Sequence, residues 1–141
     1  MGRGSSKAGR GSSKAGGGSL DKKLDGLQTV NFNLQPANTN MIKSVFPVDE
    51  HPKGLFNEGE YMDFLQRMNS LPNTETDVDV NNLIAIQNIV NKDGVRSSAN
   101  STEPIIVVEH NGQNYIIDGN HRATAAKLQG KKTIKARVTR M

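Results

Sequence analysis

Two apolar runs separated by Asn111-Gly112 constrain the fold of this chain more than any other feature. The first run covers residues 104–110 and the second covers residues 113–117, and both contain paired isoleucines. Asn-Gly is strongly favoured in two-residue hairpin turns, because both positions tolerate a positive φ. The pattern therefore predicts two antiparallel strands joined by a tight turn.

The sequence after the hairpin indicates a short helix and a further strand. Residues 123–129 have helical character and precede Gly130, a residue type common just after a helix. Residues 133–139 alternate apolar and basic side chains, as a strand with one buried face does. A strand joined to the next through a helix needs a crossover connection, so we expect an α+β fold with a small mixed sheet and flanking helices.

Upstream of the hairpin the patterns are weaker. Residues 57–71 place Tyr61, Phe64 and Met68 at helical spacing before Pro72, which predicts a helix over residues 58–70. Alternation near residues 76–80 predicts a short strand. The apolar positions from 83 to 90 predict a short amphipathic helix, and the polar stretch 91–103 predicts a surface loop long enough to serve as a lid.

A repeated segment marks the first boundary of the chain. Residues 2–8 (GRGSSKA) recur as residues 9–15 and are followed by Gly-Gly-Gly-Ser. We expect residues 1–19 to be a disordered basic Gly/Ser linker, and a linker of this kind suggests fusion to a larger polypeptide. Residues 20–75 are expected to form an extended wrap plus one helix, and residues 76–141 the α+β domain.

The net charge of +4 is distributed unevenly. Residues 20–118 hold seven bases and fourteen acids, whereas residues 119–141 hold seven bases and no acid, so the chain is not a uniformly basic nucleic-acid binder. The bases near the C-terminus are candidates for contacting nucleic-acid phosphates, the alternative being a solvated strand face. These candidates are Lys131, Lys132, Lys135, Arg137 and Arg140.

Composition excludes several classes of function. The chain has no cysteine, which rules out thiolate metal sites, cysteine nucleophiles and disulfides. No apolar run reaches membrane-spanning length, and residues 1–19 lack the apolar stretch that a signal peptide needs, so we expect no membrane partner. The location is open between the cytoplasm and a phage-associated setting. Four Phe, two Tyr and no Trp argue against a general single-strand binder that stacks bases.

A polar cluster follows the second strand at the point where the helix is expected to begin. The cluster is Asp118-Gly119-Asn120-His121-Arg122. The first N–H groups of a helix are unpaired and carry partial positive charge, so phosphate is the expected ligand. Gly119 allows close backbone approach, Arg122 can bond two phosphate oxygens, and His121 can donate or carry a proton.

Asp118 is the unexpected member of the cluster, because a bare carboxylate repels phosphate. It has four possible roles: to cap the helix, to hold His121 or Arg122, to bind a divalent cation, or to act as a base.

These residues resemble the ParB/sulfiredoxin superfamily over roughly residues 76–141. The likeness lies in the apolar run before the turn, in the stretch from Tyr115 to Ala126, and in Gly130 with residues 134–138. In that family a Gly-x-x-Arg motif at a helix start holds nucleotide phosphates. The resemblance therefore implies a phosphate site, with Gly119, His121 and Arg122 at the matching positions. Asn120 stands where sulfiredoxin has its nucleophilic cysteine, so sulfinic-acid reduction is not expected.

The cluster is also similar to the Asp-Gly-His-His-Arg motif of archaeal free-serine kinases in the same superfamily. The family's upstream glutamine box is weakly matched by Gln87. The resemblance thus implies four phosphate-binding residues, which are Gly119, Asn120, Arg122 and Gln87. The helix-turn-helix domain of chromosome-partitioning ParB is not found in this chain, so partitioning activity is not expected.

The superfamily includes nucleotide switches, kinases, reductases and nuclease-type modules, so fold alone does not give function. An isolated domain behind a Gly/Ser linker resembles the nuclease-type modules of phage and polymorphic-toxin proteins. We therefore expect Arg122 to bind a scissile phosphate, His121 to act as acid or base, and Asp118 to orient it or bind Mg²⁺ or Mn²⁺. The alternatives are a nucleotide-dependent kinase or switch, and a non-catalytic binding module with a vestigial site. His51 and His110 are expected to be surface residues.

Overall fold

The computed structural model of the protein describes residues 20–30 and 41–141. The linker predicted over residues 1–19 lies outside the described residues, as does part of the predicted wrap, residues 31–40.

The described residues form helices on either side of a β-sheet, together with a second, smaller sheet. The helices are α1 (residues 20–25), α2 (Tyr61–Asn69), α3 (Lys92–Ser98) and α4 (Asn120–Leu128), with a 3₁₀ turn at Val80–Asn82. The strands are β1 (Thr29–Val30), β2 (Met41–Lys43), β3 (Asn73–Asp79), β4 (Leu83–Ala85), β5 (Ile89–Asn91), β6 (Ile105–His110), β7 (Gln113–Asp118) and β8 (Thr133–Arg140).

The larger sheet is mixed and has the order β3-β8-β6-β7-β4. Its centre is the predicted hairpin of β6 and β7, whose turn residues Asn111 and Gly112 have φ of 54° and 77°. From β7 the chain passes through α4 and returns as β8, which lies parallel to β6. The α+β fold with a mixed sheet is therefore confirmed, together with the helix and strand predicted after the hairpin.

Apolar side chains alternate between the two faces of this sheet. On one face they form a cluster with Ala123 and Ala126 of α4, and on the other with Phe64 and Met68 of α2. The sheet thus lies between α2 and α4, and the end of β7 leads directly into the start of α4. The helix predicted over residues 58–70 is confirmed as α2.

The smaller sheet is antiparallel, with the order β1-β2-β5. A third cluster joins this sheet to three helices. Ile42 of β2 and Val90 of β5 pack there with Leu24 of α1, Val95 of α3 and Ala125 of α4. Among the described residues no helix has the length and apolar character needed to cross a membrane.

The helix predicted between residues 83 and 90 is wrong, since these residues form strands β4 and β5. Leu83 and Ala85 are buried on the α4 side, while Ile84 packs on the α2 side. A strand covered on both faces carries a continuous apolar run, and periodicity does not distinguish such a run from a buried helix.

The lid-like loop predicted over residues 91–103 is also wrong in its first half, which forms α3. The Asn91 side chain accepts a hydrogen bond from the Gly94 N–H at 3.0 Å and so caps the helix. Val95 is fully buried in the third cluster. Packing and capping together stabilise a helix in a segment whose composition favours a loop.

Candidate functional site

Gly119 forms the junction between β7 and α4. Its φ of 95° lies in the left-handed region, and a Cβ atom at this position would lie 2.6 Å from Cγ2 of Ile105 and 2.9 Å from Nη2 of Arg122. Both the backbone conformation and the close approach require glycine. The start of α4 is therefore open to a ligand rather than covered by a side chain at this position.

The first turn of α4 presents free backbone donors. Within the described chain no side chain caps this helix, and its first backbone bond runs from the Ala123 N–H to the Gly119 carbonyl at 2.9 Å. The N–H groups of residues 120–122 consequently have no helical acceptor. They lie at the positive end of the helix dipole, where an anion is stabilised.

Arg122 carries a buried donor at the same place. Its Nη2 atom donates to the Pro104 carbonyl at 3.2 Å. Its Nε atom is buried and has no hydrogen-bond partner among the described residues. A buried donor left unpaired costs about 1–3 kcal/mol, more when the group is charged, and an anionic ligand would remove that cost.

The His121 ring connects α4 to the start of α3. Its Nε2 atom accepts a hydrogen bond from the Asn91 N–H at 3.1 Å, and the ring lies against Gly94, where a Cβ atom would be 2.6 Å from Cδ2. Burial, and then the positive charge of Arg122, lower the pKa of His121 below its usual 6.5. The ring is therefore neutral near pH 7, with its proton on Nδ1, since Nε2 is an acceptor.

Asp118 is exposed, and its Oδ1 atom accepts a hydrogen bond from the Gly119 N–H at 2.9 Å. Of the roles considered from the sequence, this bond is nearest to capping, although it engages the residue before α4 and leaves the N–H groups of residues 120–122 free. Within the described part of the chain no group of three or more His, Asp or Glu side chains could hold a metal ion. A divalent cation at Asp118 would therefore take most of its ligands from phosphate oxygens, water or carbonyl oxygens.

One cavity of about 230 Å³ brings the predicted site residues together. It is lined by Gln87, Ser98, Ile117, Asp118, Gly119, Asn120, His121 and Arg122. Gln87 is exposed and donates from Nε2 to the Ile89 carbonyl at 2.8 Å. No local sequence pattern indicates Ser98, because this residue ends α3 in a segment whose composition favours a loop.

Three of the C-terminal bases have carboxylate partners. Lys135 and Arg137 each lie 3.8 Å from an oxygen of Glu75, and Arg140 lies 2.9 Å from Glu109. For Lys135 and Arg137 the cause is the register of β3 against β8, which sets Glu75 opposite Arg137. For Arg140 it is the register of β6 against β8, which sets Glu109 opposite Arg140. These acids offset much of the positive charge that the sequence concentrates in β8.

Lys131 and Lys132 are exposed just before β8. Lys131 lines a separate cavity of about 250 Å³ with Arg122 and Lys135. The five bases thus lie before and along β8, and Lys131 and Lys135 share this cavity wall with Arg122.

The other two histidines differ from each other. His51 is exposed, as predicted. His110 is only half-exposed, and its ring nitrogens contact the carbonyls of Lys53 and Met141 at 3.1 and 2.9 Å. His110 therefore holds two chain segments together rather than lying free on the surface.

Comparison with known proteins gives a family match and a similar solved structure. Residues 67–141 match the model of the ParB N-terminal domain, which is more than half of the chain. Among solved structures, sulfiredoxin from Arabidopsis thaliana is similar at a TM-score of 0.42 and 18% identity, covering 48% of this chain and 86% of that one. No curated protein sequence matches the chain significantly. From the family match, the chain belongs to the ParB N-terminal domain family, within the ParB/sulfiredoxin superfamily that its sequence resembles.

Proposed function

We propose that the cavity at the start of α4 binds a phosphate group of a nucleotide or a nucleic acid. The observation that carries this proposal is the buried, unpartnered Nε of Arg122 beside the uncapped first turn of α4. The residues that carry these backbone N–H groups and the guanidinium all line one cavity, and together they suit an anion with several oxygens.

The rest of the cavity supports phosphate as the anion. The missing side chain at Gly119 lets a ligand approach the backbone, and the Nδ1 proton of His121 supplies a neutral donor. Asp118 opposes the anion, but its carboxylate is exposed to water and bonded to the Gly119 N–H, which weakens the repulsion.

Equilibrium binding of pyrophosphate and of nucleoside triphosphates, measured by calorimetry, tests this proposal. Arg122→Ala should weaken binding about tenfold or more, since a hydrogen bond to a charged group contributes about 1.5–3 kcal/mol. Arg137→Ala is the matched control, because that arginine lies on β8 and pairs with Glu75. Equal losses in the two variants would mean that binding reflects general positive charge and not this cavity.

Phosphodiester cleavage is the second candidate function, favoured by the presence of Asp118 and His121 in the same cavity. Because Nε2 of His121 is already an acceptor, the ring would act as a donor through Nδ1, and Asp118 would serve as base or as a ligand of Mg²⁺ or Mn²⁺. The nucleic acid would then lie along the C-terminal bases, and a parent phage or toxin polypeptide would deliver the domain.

Incubation of plasmid DNA and RNA with Mg²⁺ or Mn²⁺ separates these candidates. A nuclease should lose roughly 10²–10⁴-fold of its rate in His121→Ala. Intact substrates, or cleavage unchanged by that substitution, would exclude nuclease activity and leave phosphate binding as the proposed function. Transfer of a nucleotide's terminal phosphate to a small hydroxyl compound, lost in the same variant, would instead indicate a kinase.

A further inference from the structure

A cavity of about 350 Å³ is separate from the one at the start of α4, although Gln87 and Ile117 line both. Most of its wall comes from residues 50–61, which precede the region matched by the ParB N-terminal domain. The family match therefore does not account for most of this wall.

Three aromatic rings line this cavity, which we call the aromatic cavity. The Phe56 ring is edge-on to those of Tyr61 and His51, with centroids 5.2 and 6.3 Å away. Phe64 of α2 is fully buried and packs against two of the rings, with centroids 4.8 Å from Phe56 and 5.9 Å from Tyr61. Phe56 is buried, Tyr61 is half-buried and His51 is exposed. The core thus holds Phe56 and Tyr61 in place, while Tyr61 and His51 supply the ring surface that a ligand can reach.

The carboxylates of the aromatic cavity have no basic partner. Its wall includes the exposed side chains of Glu50 and Glu58, and in the described part of the chain neither forms a salt bridge. None of the described lining residues is a lysine or an arginine. Residues 49–63 hold five acids against one base, Lys53. This segment therefore attracts cations and repels anions.

Tyr61 shows that a further negative charge reaches the aromatic cavity. Burial, and then the negative charge of Asp118, raise the pKa of the Tyr61 hydroxyl. The field of Asp118 at the ring adds to that of Glu50 and Glu58. Since the face of an aromatic ring also carries partial negative charge, a cation is the polar ligand best suited to this wall.

Apolar side chains indicate the kind of cation. Ile86 and Ile117 line the cavity and belong to the same cluster as Tyr61. An aliphatic chain packs its methylene groups on such side chains and keeps its charged end near polar groups. A primary ammonium group supplies three N–H donors, which match the carboxylates of Glu50 and Glu58. A metal ion fits less well, because within the described ranges no three acidic or histidine side chains are placed to hold one.

We propose that the aromatic cavity binds an aliphatic ammonium group, carried by a free amine or by a lysine side chain. The ammonium group lies against the Tyr61 ring and donates to Glu50 and Glu58. Its methylene chain packs on Ile86 and Ile117. The cavity volume falls in the range of ordinary small-molecule sites, about 300–1,000 Å³. This inference goes beyond the proposed phosphate site and does not depend on it.

A ¹⁵N–¹H NMR titration of the full chain with three probes tests this inference. The probes are pentylammonium, the neutral 1-pentanol, which has the same chain length, and the N-acetyl amide of lysine. Pentylammonium should shift the amides of residues 57–61 and bind about two- to fivefold or more tightly than 1-pentanol, because an aromatic ring attracts a cation. The more tightly bound of the two ammonium probes identifies the source as a free amine or a lysine side chain.

Substitutions at the ring and at one carboxylate locate the binding. Tyr61→Leu should weaken pentylammonium binding about two- to fivefold, whereas Tyr61→Phe keeps the ring face and should bind as the wild type does. Met62→Leu is the matched control, since Met62 is the next residue of α2 and is 67% exposed. Glu58→Gln should also weaken binding about two- to fivefold. Its control is Asp63→Asn, which removes another exposed charge from outside the cavity wall.

Two results would overturn the proposal. If 1-pentanol binds as tightly as pentylammonium, the cavity is merely apolar and has no preference for a cation. If Glu58→Gln and Asp63→Asn lose equal affinity, the cation is held only by diffuse attraction to an acidic surface. Should Tyr61→Leu fail to fold, the comparison of Glu58→Gln with Asp63→Asn decides alone. None of these measurements involves phosphate, so the proposed function is tested separately by Arg122→Ala.

Discussion

Replacing Gly119 with alanine perturbs the junction that positions the phosphate site. The new methyl group would lie 2.6 Å from Cγ2 of Ile105, a fully buried residue of β6, so the core would have to shift. The left-handed conformation costs a non-glycine residue about 1–2 kcal/mol, and overpacking typically costs about 1–3 kcal/mol more. We expect Gly119→Ala to lower the free energy of unfolding by about 2–5 kcal/mol.

Gly130→Ala separates the two contributions. Gly130 has a φ of 78°, but nothing lies within 4 Å of a Cβ atom placed there. This control should show only the conformational cost, about 1–2 kcal/mol. In urea unfolding, Gly119→Ala should have a midpoint about 1 M below that of Gly130→Ala, given slopes of about 1–3 kcal/mol per molar. Equal midpoints would show that the backbone does not approach Ile105 closely.

Two further predictions concern α3 and the histidine that contacts it. Because the pKa of His121 is lowered on folding, the unfolded chain binds its proton more readily. The contribution of His121 to the free energy of unfolding should therefore be fully present above about pH 6.5, and it should decrease as the pH falls below that value. His121→Gln should flatten this dependence in pH-resolved urea unfolding, and an unchanged slope would show that the ring is not buried. Val95→Ala should lower the free energy of unfolding by about 1–3 kcal/mol. Ser97→Ala on the exposed side of α3 should cost under about 0.5 kcal/mol, and equal effects would contradict the packing of α3.

The parts of the fold that sequence predicted correctly are those with local signals. The hairpin depends on the turn chemistry of Asn111-Gly112, and the end of α4 is marked by Gly130 with its positive φ. The position of residues 118–122 at a strand-to-helix junction was predictable for the same reason, while their role as a site stays a prediction.

Helix α3 was not predictable from its own residues. Gly94 disfavours a helix by about 1 kcal/mol relative to alanine. The structure supplies the reason for the glycine, because the His121 ring occupies the space that a side chain at position 94 would fill. A contact between residues 27 positions apart has no local sequence signal, so neither α3 nor the position of Ser98 at its end could be predicted.

The charge balance of β8 also depended on long-range pairing. Sequence shows seven bases and no acid after residue 118, but not that β3 lies alongside and sets Glu75 opposite Arg137. Strand register between distant segments is fixed by the whole sheet. The net positive charge around the five candidate bases is therefore lower than the sequence indicates.

A ¹⁵N–¹H NMR titration with inorganic phosphate tests the anion site at the start of α4 most directly. The amides of residues 119–122 should shift first and saturate together, and these shifts should disappear in Arg122→Ala while persisting in Arg137→Ala. Shifts confined to residues 131–140, equal in both variants, would contradict a phosphate site at α4 and indicate only diffuse attraction to the exposed bases.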